Sequence, residues 1–184
     1  MIKYLIGFSL IIFSIHISAQ ETDPWSVYIT PSEVHQQLSK YVGDFEMEMT
    51  MWMNPGTEPM MVKVNSKHET ILGGRFLEMT QSGNMMGMDY ASVMTLGFNN
   101  TSKTFMLTTL TNMGTGILSL EGGWEKDKQI AVLKGQMTDP VNNGVINITQ
   151  KITFIDDNTL LIENFDQSGD TPEQKSIQYK LIRK

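Results

Sequence analysis

The chain contains no cysteine, so it has no disulfide, no thiolate metal ligand and no cysteine nucleophile. Histidine is nearly as scarce. Of three in 184 residues, His16 lies in an apolar leader, which leaves His35 and His68. These two do not share a metal-ligand spacing such as His-x-x-x-His. Neither a metal nor a cofactor is therefore expected. No Gly-x-Ser-x-Gly elbow occurs, and no Lys-Ser/Thr pair follows Gly114 and Gly116. A hydrolase nucleophile and a phosphate loop both lack support, and no residue is assigned as catalytic. Positive charge is also in deficit, with 14 basic against 20 acidic residues. That balance argues against nucleic acid and against anionic membrane surfaces as partners.

Long apolar runs are confined to the first twenty residues. Lys3 supplies a positive start, Tyr4 to Ile17 an apolar stretch and Ala19 a small residue before Gln20. This pattern reads as a secretory signal peptide over residues 1–19, too short for a membrane span. The expected compartment is periplasmic or extracellular, with no stable membrane insertion after cleavage. A lipid anchor of the kind attached to a cysteine is excluded. Residues 20–29 read as a tether and residues 30–184 as a single domain, long enough to bury a core.

The domain opens with a helix signal: Thr30 as N-cap, Pro31 in the first turn and Glu33 closing a capping box. Val34, Leu38 and Tyr41 give the segment one apolar face, and Gly43 ends it. The period then changes to two. Phe45, Met47, Met49, Met51 and Met53 alternate with Glu46, Glu48, Thr50 and Trp52, a half-buried strand. Nine further segments repeat the alternation, around 61–70, 75–81, 90–98, 104–111, 116–124, 129–137, 145–155, 159–165 and 175–182. The turns between them alternate in kind. Short ones fall at 73–74, 99–102, 125–128 and 156–158, and longer ones at 54–59, 83–88, 112–115, 139–144 and 167–173. In a meander, successive turns lie at opposite ends. The expected fold is all-β: an up-and-down antiparallel barrel of about ten strands, with the helix capping the end that carries the short turns. A two-sheet sandwich is the alternative.

Methionine is abundant, 15 residues in all. Met60, Met61, Met85, Met86, Met88 and Met113 fall in or beside the longer loops, with Met53 and Met137 next to them. All eight gather at one expected end, above the strand face of Met47, Met49 and Met51. Flexible thioethers fill irregular cores, and they also make adaptable apolar portals. Thioethers bind Cu(I) too, although no histidine accompanies this cluster. Phe45, Met47, Met49 and Met51 are expected to line a continuous cavity, with Met85, Met86, Met88 and Met113 at its mouth. Asp139 lies at the same end and is a candidate to orient a ligand. Arg75 has the parity of Leu77 and Met79. An inward Arg75 would hold a carboxylate head; an outward one would be an ordinary strand-end charge.

Seven stretches carry a family resemblance: Gly43-Asp44-Phe45, Asn54-Pro55-Gly56, Ile71–Leu77 (ILGGRFL), Met85–Met88, Thr95-Leu96-Gly97, Met113–Gly116 (MGTG) and Met137–Pro140 (MTDP). From Tyr41 onward the chain resembles an uncharacterised bacterial family known only as a domain of unknown function. That family is similar to the lipocalin and fatty-acid-binding barrels. Gly43-x-Phe45 resembles their Gly-x-Trp signature, with Phe in place of Trp. Haem-binding barrels of related shape take a histidine from their C-terminal strands, and none follows His68 here. The resemblance implies a fold and no activity. Three functions stay open: a binding module for a small hydrophobic or amphipathic ligand, a solid barrel that meets a protein partner through its Met/Gly-rich loops, and an unrecognised enzyme using Arg75 with a buried carboxylate.

Overall fold

A computed structural model describes residues 23–53, 56–125 and 129–184. The expected signal peptide lies outside the described residues. Two short helices, α1 (Pro24–Ile29) and α2 (Glu33–Ser39), precede ten strands. The strands are β1 (Gly43–Met51), β2 (Met60–Ile71), β3 (Phe76–Met85), β4 (Met88–Asn99), β5 (Thr104–Thr111), β6 (Leu118–Trp124), β7 (Ile130–Thr138), β8 (Val145–Asp156), β9 (Thr159–Ser168) and β10 (Gln174–Arg183). Every strand pairs antiparallel with its sequence neighbours, and β1 pairs with β10 to close the barrel. Closure leaves no unpaired sheet edge, which is why the barrel and not the sandwich accommodates this strand set.

The period-two pattern places the side chains. Along β1, Phe45, Met47, Met49 and Met51 point inward and are buried, while Glu46, Glu48 and Thr50 stay partly exposed. At the short-turn end α2 presses His35 and Leu38 into the barrel. They meet an aromatic layer in which Phe98, Phe105, Trp124 and Phe154 pack at centroid separations of 4.7–6.2 Å. This is the closed end.

Three local expectations are corrected. Residues 24–29 of the expected tether form α1, capped by Asp23 through its bond from the Ser26 N–H, 3.0 Å. The second helix is capped by Ser32, not Thr30. Thr30 ends α1 in extended conformation, as suits a residue before proline. The Ser32 N–H donates to His35 Nδ1 at 3.0 Å, so His35 takes the role expected of Glu33. Finally, 83–88 is no long loop. Met86 and Gly87, with φ of 56° and 84°, make a two-residue hairpin between β3 and β4. Two consecutive positive φ values define the turn whose twist suits a hairpin.

Gly43 shows how the closed end is locked. Its φ is 132°, and an added Cβ would sit 2.8 Å from Arg183 Nη1. Over it, the Arg183 guanidinium lies 4.7 Å from the Phe45 ring centroid, and Phe45 stacks on His68 at 4.1 Å. The Gly43-x-Phe45 signature thus serves the layered contact of Arg183, Phe45 and His68.

Candidate functional site

The barrel interior divides into two halves. In the closed half, Phe45, Met47, Leu77, Met79, Leu133 and Leu181 expose no surface at all, so no water-sized space adjoins them. The continuous cavity expected along Phe45 and Met47 is therefore not formed there: the side chains interdigitate at close-packed density. In the other half the walls begin to open. Met51, Met85, Tyr90, Tyr179 and Asn164 each keep 7–9% of their surface accessible, and Asp166 and Ile177 are half-buried. This is the mouth, at the end that carries the loops β1–β2, β3–β4, β5–β6, β7–β8 and β9–β10.

A one-way chain of hydrogen bonds links the mouth to the closed end. The Tyr90 hydroxyl donates to Ser92 Oγ (2.9 Å), and Ser92 donates to Gln81 Oε1 (2.6 Å). Gln81 Nε2 then donates to Ser66 Oγ (3.2 Å). Ser66 meets His68 Nε2 at 2.8 Å, and His68 Nδ1 meets the Tyr41 carbonyl at 3.0 Å. A carbonyl only accepts, so Nδ1 carries the proton and Nε2 accepts from Ser66. His68 is neutral in this arrangement, and burial pushes its pKa down to about 4. Every member of the chain is satisfied, as buried polar groups require.

Across the barrel a second polar group faces the mouth. Gln150 Nε2 donates to Asn164 Oδ1 (2.6 Å), while Gln150 Oε1 is buried without a partner. Asp166 follows Leu160, Ile162 and Asn164 on the inward side of β9, opposite Ile148 on β8. Burial raises its carboxyl above the usual range, against a lowering bond from Ser176. Tyr179 is raised by burial first, then by the nearby Tyr90 and Asp166. Tyr90 on β4 and Tyr179 on β10 thus approach from opposite walls and form the floor of the mouth. Burial raises Tyr90 as well.

The candidate residues named from the sequence scatter across this architecture. Met49, Met51 and Met85 line the mouth wall, whereas Phe45 and Met47 belong to the filled half. Met86, Met88 and Met113 stand out on the rim, Met86 with 70% of its surface exposed. Asp139 turns back on its own loop, where Oδ1 accepts from the Val141 N–H at 2.8 Å. Arg75 sits at the opposite, closed end. It donates to the carbonyls of Ile29 (2.7 Å) and Leu72 (3.1 Å), tying α1 to the β2–β3 turn. It does not point inward, and the barrel separates it from Asp166, so the pairing of Arg75 with a buried carboxylate is not made. Glu78 is half-buried on the outer side of β3. Tyr90, Gln150, Asn164, Asp166 and Tyr179 were not anticipated. One signal was available: Asp166 shares the parity of Leu160 and Ile162. Among the described residues no three His, Asp or Glu side chains converge on a metal position.

A helix-plugged, ten-stranded antiparallel barrel with a filled lower half and a methionine-rimmed mouth defines the class. The chain belongs to the family described as protein of unknown function DUF1579, whose model matches residues 30–183. No curated protein matches the sequence. Among solved structures, the crystal structure of Rv2717c from M. tuberculosis is similar in fold. It has a TM-score of 0.58 and 15% identity over 84% of this chain and 99% of that one.

Proposed function

We propose that this protein is an exported, non-enzymatic barrel that holds one small amphipathic molecule at its mouth, above the filled half of the core. The observation that carries the reading is a ring of exposed apolar side chains at the mouth, a second set (Trp25, Tyr28, Ile29 and Leu72) lying at the closed end around α1. Met53, Met61, Met86, Met88, Met113, Ile117, Met137, Val141 and Val145 are exposed large hydrophobics, and all stand on or beside the loops that ring the mouth. Isolated exposed apolar residues need no explanation, but a ring around the opening of a barrel does. Methionine suits such a portal because its side chain adapts to varied shapes. Export rests on the leader at residues 1–19.

The test is titration of the mature protein with the neutral probe N-phenyl-1-naphthylamine. We expect a saturable fluorescence rise with micromolar affinity, weakened about tenfold when Met86 and Met88 are both replaced by lysine. No saturable rise, together with a bare chain mass for protein isolated natively from its host, would sink the proposal. A second reading, docking of a protein partner on the rim, draws on how far Val141 projects, with 90% of its surface exposed. Self-association in sedimentation at tens of micromolar, lost in the same double variant, would favour it.

A further inference from the structure

Resting on that reading, we infer that the mouth selects a positively charged head group, so that its ligand is an amine- or ammonium-headed amphipath. The argument is the polarity of the groups that remain free. The Tyr90 hydroxyl proton is committed to Ser92, which leaves its oxygen with lone pairs only. The amide nitrogen of Gln150 is committed to Asn164, which leaves Oε1 of this fully buried side chain as an unpaired acceptor. Such an acceptor wants a donor, and leaving it unmade is costly. Asp166 adds a carboxylate on the same inward face of β9, one inward position closer to the rim than Asn164.

Among the described residues no lysine or arginine pairs with Asp166, and none is among the buried side chains. Lys175, the nearest base in sequence, is held elsewhere by Glu163 at 2.5 Å and lies over the Trp52 ring. Asn164 Nδ2 and the Tyr179 hydroxyl are neutral groups able to donate, so the preference for a cation rests on Asp166 and the Gln150 oxygen. Among the described residues, the charge on the inward strand faces at the mouth is the Asp166 carboxylate. A carboxylate-headed ligand would meet Asp166 with like charge and no cation to answer it, a cost the low local dielectric magnifies. An ammonium head gains the Asp166 carboxylate and, where it sinks below the surface past Asn164, the unpaired Gln150 oxygen. Its tail lies along the methionines of the rim. This is the reverse of the carboxylate-holding role considered for Arg75.

The test compares three ten-carbon amphipaths, decylamine, decanoate and decanol, each below its micelle concentration. Each displaces N-phenyl-1-naphthylamine from the mature protein at pH 7.5. Decylamine is expected to bind at least tenfold more tightly than decanoate, with decanol between. In Asp166→Asn the amine-to-carboxylate ratio is expected to collapse to within about twofold. If the probe binds but decanoate matches or exceeds decylamine, the inference falls and the binding-module reading stands. If neither probe nor amphipath binds, both fall. The wild-type comparison decides the matter without any variant, and a ratio unchanged in folded Asp166→Asn also overturns the assignment.

Discussion

His68 is the residue whose chemistry is most constrained. Its ring is fully buried, stacked on Phe45 and bonded at both nitrogens. Its pKa falls from 6.5 to about 4 through burial. The sign follows directly. Between those values the unfolded chain takes up the proton and the folded chain does not. The stability His68 contributes is complete above pH 6.5 and is lost as the pH falls toward 4, by roughly 3 kcal/mol in all. Urea unfolding at pH 7.0 and pH 4.5 checks this. The wild type is expected to lose a large part of that amount, and His68→Gln, less stable at pH 7.0, to lose much less across the same interval. His35 is lowered in the same direction and accounts for a smaller residual slope. None of this was visible in the sequence, where His68 is a lone histidine near the end of an alternating strand. Its partners come from Tyr41 and Ser66, and only barrel closure brings Arg183 over Phe45 beside it.

At the scale of elements, the strands were legible because their alternation is strong and each has one wet and one dry face. The misses have different causes: the 83–88 hairpin and the Ser32 cap are set by side chains three residues away, and α1 by partners distant in sequence. The pair Met86-Gly87 lacks the usual Asn-Gly turn signal, yet Asn84 Oδ1 accepts from the Gly87 N–H at 2.9 Å and closes the hairpin. Helix α1 is six residues long and buries none of them, too short to persist alone. It is held by partners distant in sequence. Asn100 Nδ2 donates to the carbonyls of Val27 (3.1 Å) and Thr30 (2.6 Å), and Arg75 reaches Ile29. Removing the buried Asn100 amide in Asn100→Ala is expected to free α1 locally, at a cost of about 1–2 kcal/mol. Hydrogen exchange is the measure: Val27 and Thr30 amides lose protection while the β4 and β5 amides keep theirs.

For the molecule as a whole, the rim of the site was legible and its floor was not. Loop methionines gather at one end by connectivity alone. The floor needs Tyr90 and Tyr179 to meet from opposite walls, and β10 carries a register shift between Lys175 and Ile177 that interrupts simple parity counting. Arg183 at the end of β10 braces the closure of the barrel. Arg183 donates to the Val42 carbonyl (2.7 Å), the Asp157 carbonyl (2.9 Å), Asn158 Oδ1 (2.9 Å) and the Lys40 carbonyl. It joins the segment leading into β1, the β8–β9 turn and β10 in a single contact. Arg183→Ala is expected to cost about 2–4 kcal/mol in denaturant unfolding. Arg183→Lys should recover little of it, because an ammonium cannot reproduce the planar fork.

The pairing of β1 with β10, through Phe45 opposite Arg183 and Met51 opposite Ile177, also has a cost in time. The two strands that close the ring stand at opposite ends of the domain. Eight intervening strands can zip up as neighbouring hairpins, but this last seam waits for nearly the whole chain to be in place, and long-range closure of that kind slows folding. Until it forms, β1 and β10 each present a bare row of backbone donors and acceptors beside an apolar face of methionine, isoleucine and tyrosine. The finished ring has no edge to offer another chain. The incomplete one has two, and its hazard of association with a neighbour is concentrated in that interval.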